Sequence, residues 1–391
     1  MSIGSWFEMK KAVEFVAVVV CAVFMQGCLQ HDDRAGVDLA PRAVAAAEAA
    51  GCKVPAGGEL RIYTWSDYIA PDVIAGFEKG LGVKVVIDTF DSNEDMYARL
   101  KAGGGGYDIM MPSSYQIAQM VNDGMIDELD GAKCPNLFKN FDKSYACQVV
   151  DPSFWHSAPY AVTYMGFMYL KGKVPPGADA NSLSILGNPA LKGRITLLDD
   201  IREVIGLGLL SLGYSVNSVD PKEIDAAADQ VIKWRGNIRK FDAESYKTEV
   251  PSGASWIGQG YSSDIMQVIV GNEEAGVPAR GDVGFALPKE GFTMTFDEMV
   301  IAKDAKRKDL AYAFINYIYD GEVAKANMEC ICGINPVKPG IDALEPGYRA
   351  LIVPDDATIR RGHIIRGFAD NPEVMDLYNK AWERIKAAEA R

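Results

Sequence analysis

The stretch "LRIYTWSDYIAPDVIAGFEKGLGVKVVIDTF", residues 60–90, decides the fold class. It reads as strand, turn, helix, strand. Leu60, Ile62 and Tyr63 rise toward a turn that carries Trp65, Ser66, Asp67 and Tyr68 in a row. Pro71 suits the first position of a helix, where its missing N–H costs nothing. Val73, Ile74 and Phe77 form the apolar face of that helix, and Gly80 and Gly82 end it. "VKVVIDTF" makes the next strand. "NEDMYARLKAG" then reads as a short helix, "YDIMMP" as a third strand, and Tyr115 to Asn122 as a third helix. Such alternation builds a mainly parallel sheet with helices on its faces. Ligands bind beyond the carboxyl ends of the strands in such sheets. Trp65 to Tyr68 and Ser113 to Tyr115 both lie at strand carboxyl ends.

A second unit begins near residue 160. "GRITLLDDIREVIGLGLLSLGY" is a strand followed by a helix with acidic residues at its start. "ASWIGQGYSSDIMQVI" repeats the pattern, and "DVGFALPKEG" is another strand. "TFDEMVIAKDA" is a strand leading into the helix "KDLAYAFINYIYD". The C-terminal "PEVMDLYNKAWERIKAAEA" is amphipathic, with Val374, Leu377, Tyr378, Trp382 and Ile385 on one side. The chain of 391 residues is long enough for two α/β lobes, each with its own core.

Charge narrows the partners. Lys plus Arg is 40 and Asp plus Glu is 53, a net charge of −13. Phosphate binding needs a basic face, so nucleic acid is not expected. A cationic ligand is compatible with this balance.

The N-terminus reads as an export signal over residues 1–27. Lys10 and Lys11 precede an apolar run from about Ala12 to Met25, too short for a comfortable membrane span. Gly27-Cys28 resembles the processing site of bacterial lipoproteins, which implies lipidation of Cys28; simple secretion is the alternative. Residues 28–58 include an Ala-rich stretch and read as a tether. Export allows disulfides. Cys134 and Cys147 flank one loop-like segment and are a candidate pair. Cys52 is a candidate partner for Cys330 or Cys332.

No enzyme signature emerges. "GGGG" at 103–106 follows a helix and precedes a strand, the reverse of a phosphate loop. There is no Gly-x-Ser-x-Gly elbow and no His-Glu-x-x-His motif. His156 stands alone in its segment. Cys-x-Cys at 330–332, with three histidines in the chain, falls short of a metal site. No metal or cofactor is expected.

What remains is a set of loop carboxylates and aromatics: Asp67, Asp200, Glu203, Asp264 and Asp297, with Trp65, Tyr68, Tyr115 and Tyr261. This combination suits an organic polycation. Each ammonium needs a carboxylate once water is expelled. Aromatic rings cover the methylenes between amines and add cation–π attraction. Each residue also has a plainer role. Asp200 with Glu203 three residues later is an ordinary capping box, and Asp264 fits a helix cap.

The segment "IYTWSDYIAPDVIAGFEKGLGVKVVIDTFDSNEDMYARLKAGGGGYDIMMPSS" resembles the start of the bacterial periplasmic polyamine-binding proteins, receptors of ABC importers. The likeness runs on through "LLDDIREV", "GYSSDI", "ALPKEG" and "FINYI", over about residues 59–340. The resemblance implies a two-lobed periplasmic binding protein fold of type II, closing by a hinge on a ligand held between lobes. One lobe would take residues 59–160 and 295–340, the other 161–294 and 341–391. It implies a periplasmic, monomeric receptor that delivers putrescine, spermidine or a related amine to a membrane permease.

Carried over by position, the resemblance makes Trp65 and Tyr68 cleft walls. It gives one amine to Ser66 and Asp67 and lines the same lobe with Ser113 and Tyr115. Asp200, Glu203, Tyr261 and Asp264 face them, and Asp297 meets another amine. Two positions depart from the family pattern: Thr295 and Gly333 stand where aromatics are expected. The departures admit a bulkier polyamine or a guanidino ligand such as agmatine. They also admit a sensory lipoprotein that keeps the fold with altered binding.

Overall fold

The computed structural model describes residues 37–52, 57–66, 68–90, 92–271, 278–368 and 371–388. The expected signal peptide, Cys28 and Asp67 lie outside them.

The chain begins in α1 (Ala40–Ala49) and β1 (Glu59–Thr64), followed by α2 (Pro71–Leu81) and β2 (Lys84–Thr89). Next come α3 (Asn93–Lys101), β3 (Ile109–Met110) and α4 (Ser114–Asn122). β1 pairs in parallel with both β2 and β3, as the alternating pattern predicts. Gly82, in the left-handed region at φ 63°, ends α2. Ser92 caps α3 by accepting from the amide of Asp95.

The second unit is built likewise. β5 (Ile195–Leu197), α5 (Ile201–Ser211), α6 (Pro221–Trp234) and β6 (Ile238–Phe241) lead to α7 (Tyr246–Ser252). β7 (Ile257–Tyr261), α8 (Ser262–Val270) and β8 (Val283–Ala286) follow. β5 pairs in parallel with β6 and β7.

Two long antiparallel strands join the units: β4 (Ala158–Leu170) and β9 (Phe292–Ile301). β4 pairs with β9 as far as Tyr164, then with β7 from Met165 onward. β9 pairs with β4 and, at its far end, with β3. The sheet order is β2-β1-β3-β9-β4-β7-β5-β6, with β8 also on β4. The exchange between units therefore runs along β4 and β9. Each unit has its own apolar core. Phe77, Ile109, Phe296 and Phe314 belong to one, and Ile195, Val204, Ile224 and Tyr378 to the other.

The C-terminal course differs from the expected return to the second unit at Gly340. Ile341, Leu344, Ile352 and Ile359 still pack into the first core. The chain then adds β10 (Gly362–Ile364) beside β9. Helix α9 (Pro372–Ala387) lays Val374, Tyr378, Trp382 and Ile385 on the second core.

The tether reading of residues 28–58 is corrected over residues 40–49. That stretch is α1, a core helix. Leu39, Ala43, Ala46 and Ala47 are buried against α2. The physical reason is close packing of small side chains. A Cβ at Gly80 would sit 2.4 Å from the carbonyl oxygen of Ala40 and 2.8 Å from Ala43 Cβ. Only glycine opposite alanine lets these helices approach so far. The expected disulfides are also corrected. Cys52, Cys134 and Cys147 are free thiols, Cys134 buried and Cys147 exposed. The Cys52 thiol instead points at Asp309, 3.7 Å away.

Candidate ligand-binding site

The carboxyl ends of β1, β2 and β3 deliver the first half of the site. Tyr68 follows β1, and its hydroxyl donates to Asp297 Oδ2. Ser113 follows β3 and donates to Asp297 Oδ1 at 2.6 Å. Asp297 sits inside β9, so the crossing strand itself carries the carboxylate into the junction. It is 8% exposed. Both of its partners are neutral hydroxyls. Burial pushes its carboxyl above the usual range, and the two hydroxyls pull the other way.

Asn93, a residue that sequence reasoning missed, organises this half. It opens α3 after β2 and is buried. Its amide nitrogen donates to Ser113 Oγ at 3.1 Å and to Tyr115 Oη at 2.8 Å. Its oxygen accepts from the Ser113 amide at 2.9 Å. The available signal was its place, the first helical residue after a strand carboxyl end. Tyr160 and Asn327 supply a further support. Tyr160 donates to the carbonyl of Tyr68 at 2.6 Å, and its ring lies 5.3 Å from that of Tyr68. Asn327 in turn donates to Tyr160 Oη at 2.7 Å. Trp65 is half-buried, edge-on to Phe90 with centroids 4.5 Å apart, whereas Ser66 is exposed.

The second half comes from β5, β7 and the helices after them. Asp200 caps α5: its Oδ1 accepts from the amides of Arg202 at 2.8 Å and Glu203 at 3.0 Å. The Asp200 cap read from sequence is formed, but the reciprocal half of the capping box is not, because the Glu203 carboxylate turns to Thr293 instead. Glu203 is buried and accepts from the hydroxyl of Thr293 at the start of β9. Burial and then the neighbouring Asp200 push its carboxyl up to about 8, against Thr293 and Arg202. Tyr261 ends β7, and Asp264 lies in the first turn of α8. Asp264 accepts from Tyr246 Oη at 2.5 Å.

Electrostatics tie the halves together. Burial raises the Tyr115 phenol, and Glu94, Asp200 and Asp297 add to it. Burial raises Tyr261, with Asp200, Glu203, Asp264 and Tyr115 adding theirs. Tyr68 responds in the same way to Asp297 and Asp264. The structure therefore gathers Tyr68, Ser113, Tyr115, Asp200, Glu203, Tyr261, Asp264 and Asp297 at one junction. Ser66 is exposed and is not among them. Thr295 pairs with Thr163 across β9 and β4. Position 333 borders α8, since a Cβ there would lie 3.9 Å from Ser263 Cβ.

Glu298, next to Asp297 on β9, is a second carboxylate that sequence reasoning missed. It is buried, accepts from Ser114 Oγ at 2.7 Å and from the Ser157 hydroxyl, and burial pushes it up to about 7. Its folded pKa exceeds the ordinary 4.5, so folding takes up a proton here. The resulting stabilisation is complete at acid pH and is lost as pH rises through about 7. Glu298→Gln is therefore expected to raise the melting temperature relative to the parent increasingly from pH 5 to pH 8. Melting curves across that range check it; a pH-independent difference would rule out a buried titrating Glu298.

Two three-strand parallel units, crossed by two exchanging strands, with carboxylates and aromatics gathered where they meet, define a two-lobed solute receptor. The chain belongs to the bacterial extracellular solute-binding protein family, whose profile matches residues 72–351. It is 32% identical over 350 residues to a putrescine/cadaverine-binding protein of Pseudomonas aeruginosa, covering 88% of this chain and 98% of that one. It is 32% identical over 338 residues to the spermidine/putrescine-binding periplasmic protein of Escherichia coli, covering 84% and 91%. A crystal structure of a spermidine/putrescine ABC transporter substrate-binding protein from Streptococcus pneumoniae superposes with a TM-score of 0.75 at 32% identity. That match covers 84% of this chain and 99% of the other. The two-lobed periplasmic binding protein fold expected from sequence is the fold observed.

Proposed function

We propose that the protein is an extracytoplasmic receptor that binds a polyamine between its lobes and delivers it to the permease of an ABC importer. It acts by binding and hinge closure and performs no catalysis. The lobes are residues 59–160 with 295–340, and 161–294 with the C-terminal helix. Residues 341–359 pack with the first. The export signal at 1–27, the lipid on Cys28 and a monomeric periplasmic state belong to the same reading.

One observation carries it. Asp297 is a buried carboxylate whose two partners among the described residues are neutral hydroxyls. A buried charge without a counterion is costly unless a ligand supplies one. An ammonium fits, because it donates a charge-assisted hydrogen bond and its alkyl chain can lie on Tyr68, Tyr115 and Tyr261. The relatives named above point to the same class of ligand.

The test is calorimetric titration of protein refolded free of carried-over ligand. Putrescine, cadaverine, spermidine, spermine, agmatine and 4-aminobutyrate are compared. One of the amines is expected to bind with a Kd of about a micromolar or below. No heat from any of them, with protein shown to be folded, would overturn the reading and favour the sensory lipoprotein.

A further inference from the structure

A lysine in the second lobe pairs with one of the carboxylates of the site. Lys247 stands in the first turn of α7, one residue after Tyr246, whose hydroxyl donates to Asp264 at 2.5 Å. The Lys247 ammonium lies 3.8 Å from Asp264 Oδ2. Its other ion-pair partner is Glu244, on the outer side, with a side chain 77% exposed. Burial works against the Lys247 charge, yet Asp264 and Glu244 outweigh it and hold the ammonium above its usual range. Asp264 acts on Tyr68 and Tyr261. The carboxylate is thus part of the junction and already has a counterion within the same lobe.

We propose that Lys247 is a specificity-determining residue: a built-in cation that neutralises Asp264, so that the cleft accepts a diamine in preference to a longer polyamine with an added ammonium.

The inference rests on the amine-receptor reading. Asp297 has no internal cation among the described residues, and neither does Glu203 beyond its neighbour Arg202. The Arg202 guanidinium is engaged elsewhere, by the carbonyls of Val216 and Arg366 and by Asn217. These two carboxylates belong to opposite lobes and can each take one ammonium. Of the two other described carboxylates at the junction, Asp200 already accepts from two backbone amides and Asp264 is already paired with Lys247, and an ammonium gains little from a carboxylate that is already paired. Taking Lys247 away restores an uncompensated carboxylate at the junction.

The experiment is calorimetric titration of the whole mature protein and its Lys247→Met variant with putrescine and with spermidine. Lys247→Gln serves as a second variant if the first melts early. The parent is expected to favour the diamine. Lys247→Met should shift the spermidine-to-putrescine affinity ratio toward spermidine by roughly tenfold to a hundredfold, the worth of one charge-assisted hydrogen bond. Lys247→Arg should keep the parental ratio, and Lys247→Met with Asp264→Asn should lose the shift. A ratio unchanged in both Lys247→Met and Lys247→Gln overturns the inference. A parent that binds no amine at all overturns instead the receptor reading on which it stands.

Discussion

Asp297→Asn is expected to lower amine affinity by about 2–4 kcal/mol, roughly thirtyfold to a thousandfold in Kd. The size follows from where the residue sits. Asp297 is almost wholly removed from water, and Tyr68 and Ser113 already direct their hydroxyls at its two oxygens. The amide keeps the shape but removes the charge that the ligand's ammonium requires. The ammonium would then be buried without its counterion, which costs more than losing a surface pair. Titration of the variant with the preferred amine measures the loss. A change below about threefold would place Asp297 outside the ligand's reach. The same residue sets a pH dependence. Burial raises the Asp297 carboxyl, so acidification should weaken binding before ordinary surface carboxylates protonate. The hydroxyls of Ser113 and Tyr68 oppose that rise and limit it.

Removing residues 37–50 is expected to cost the protein roughly 4–6 kcal/mol of stability, from the apolar surface of Leu39, Ala43, Ala46 and Ala47 alone. That is a large part of what a domain of this kind holds in reserve. The helix does not merely cover the first core. It fills the trough left by Gly76 and Gly80, where a Cβ would meet Leu39 and Ala40 within 2.6 Å. Without α1 the glycines leave a groove lined by exposed backbone and by Phe77 and Tyr317, which water would enter. Urea unfolding of the protein beginning at Val37, compared with one beginning at Gly51, measures the difference. Equal midpoints would show that α1 is peripheral. The result also decides how the protein is prepared for titration, because a chain cut at Gly51 would confuse poor folding with lost binding.

Much of this architecture was legible because it rests on local signals. Pro71 at a helix start, Gly82 at its end and Ser92 as a cap act within one turn of chain. The strand, helix, strand order over residues 59–110 then leaves few alternatives to a parallel sheet. β4 was harder to see. Its thirteen residues, "APYAVTYMGFMYL", are buried on nearly every position and show no alternation. A strand covered on both faces has no periodicity to betray it. The Ala-rich α1 was misread for a related reason. Alanine carries little hydrophobic weight in a sequence, and its value here comes from closeness to glycines 76 and 80, which nothing local specifies.

The site divides in the same way. Tyr68 and Ser113 were legible because they follow strand carboxyl ends, and Asp297, inside β9, because of its chemistry and the family resemblance. Asn93, Thr293, Glu298 and Lys247 were not, because each acts on a residue distant in sequence: Ser113, Glu203, Ser157 and Asp264. By itself the sequence determined the class of fold, the order of its elements and the anionic, aromatic character of its loops, since those are properties of short segments and composition. Tertiary structure alone decided which carboxylates are buried without a counterion and which, like Asp264 beside Lys247, are already neutralised. Charge in a sequence is a count. Whether that charge is free to hold a ligand depends on burial and on the nearest opposite charge, and both are set only when the two lobes fold against β4 and β9.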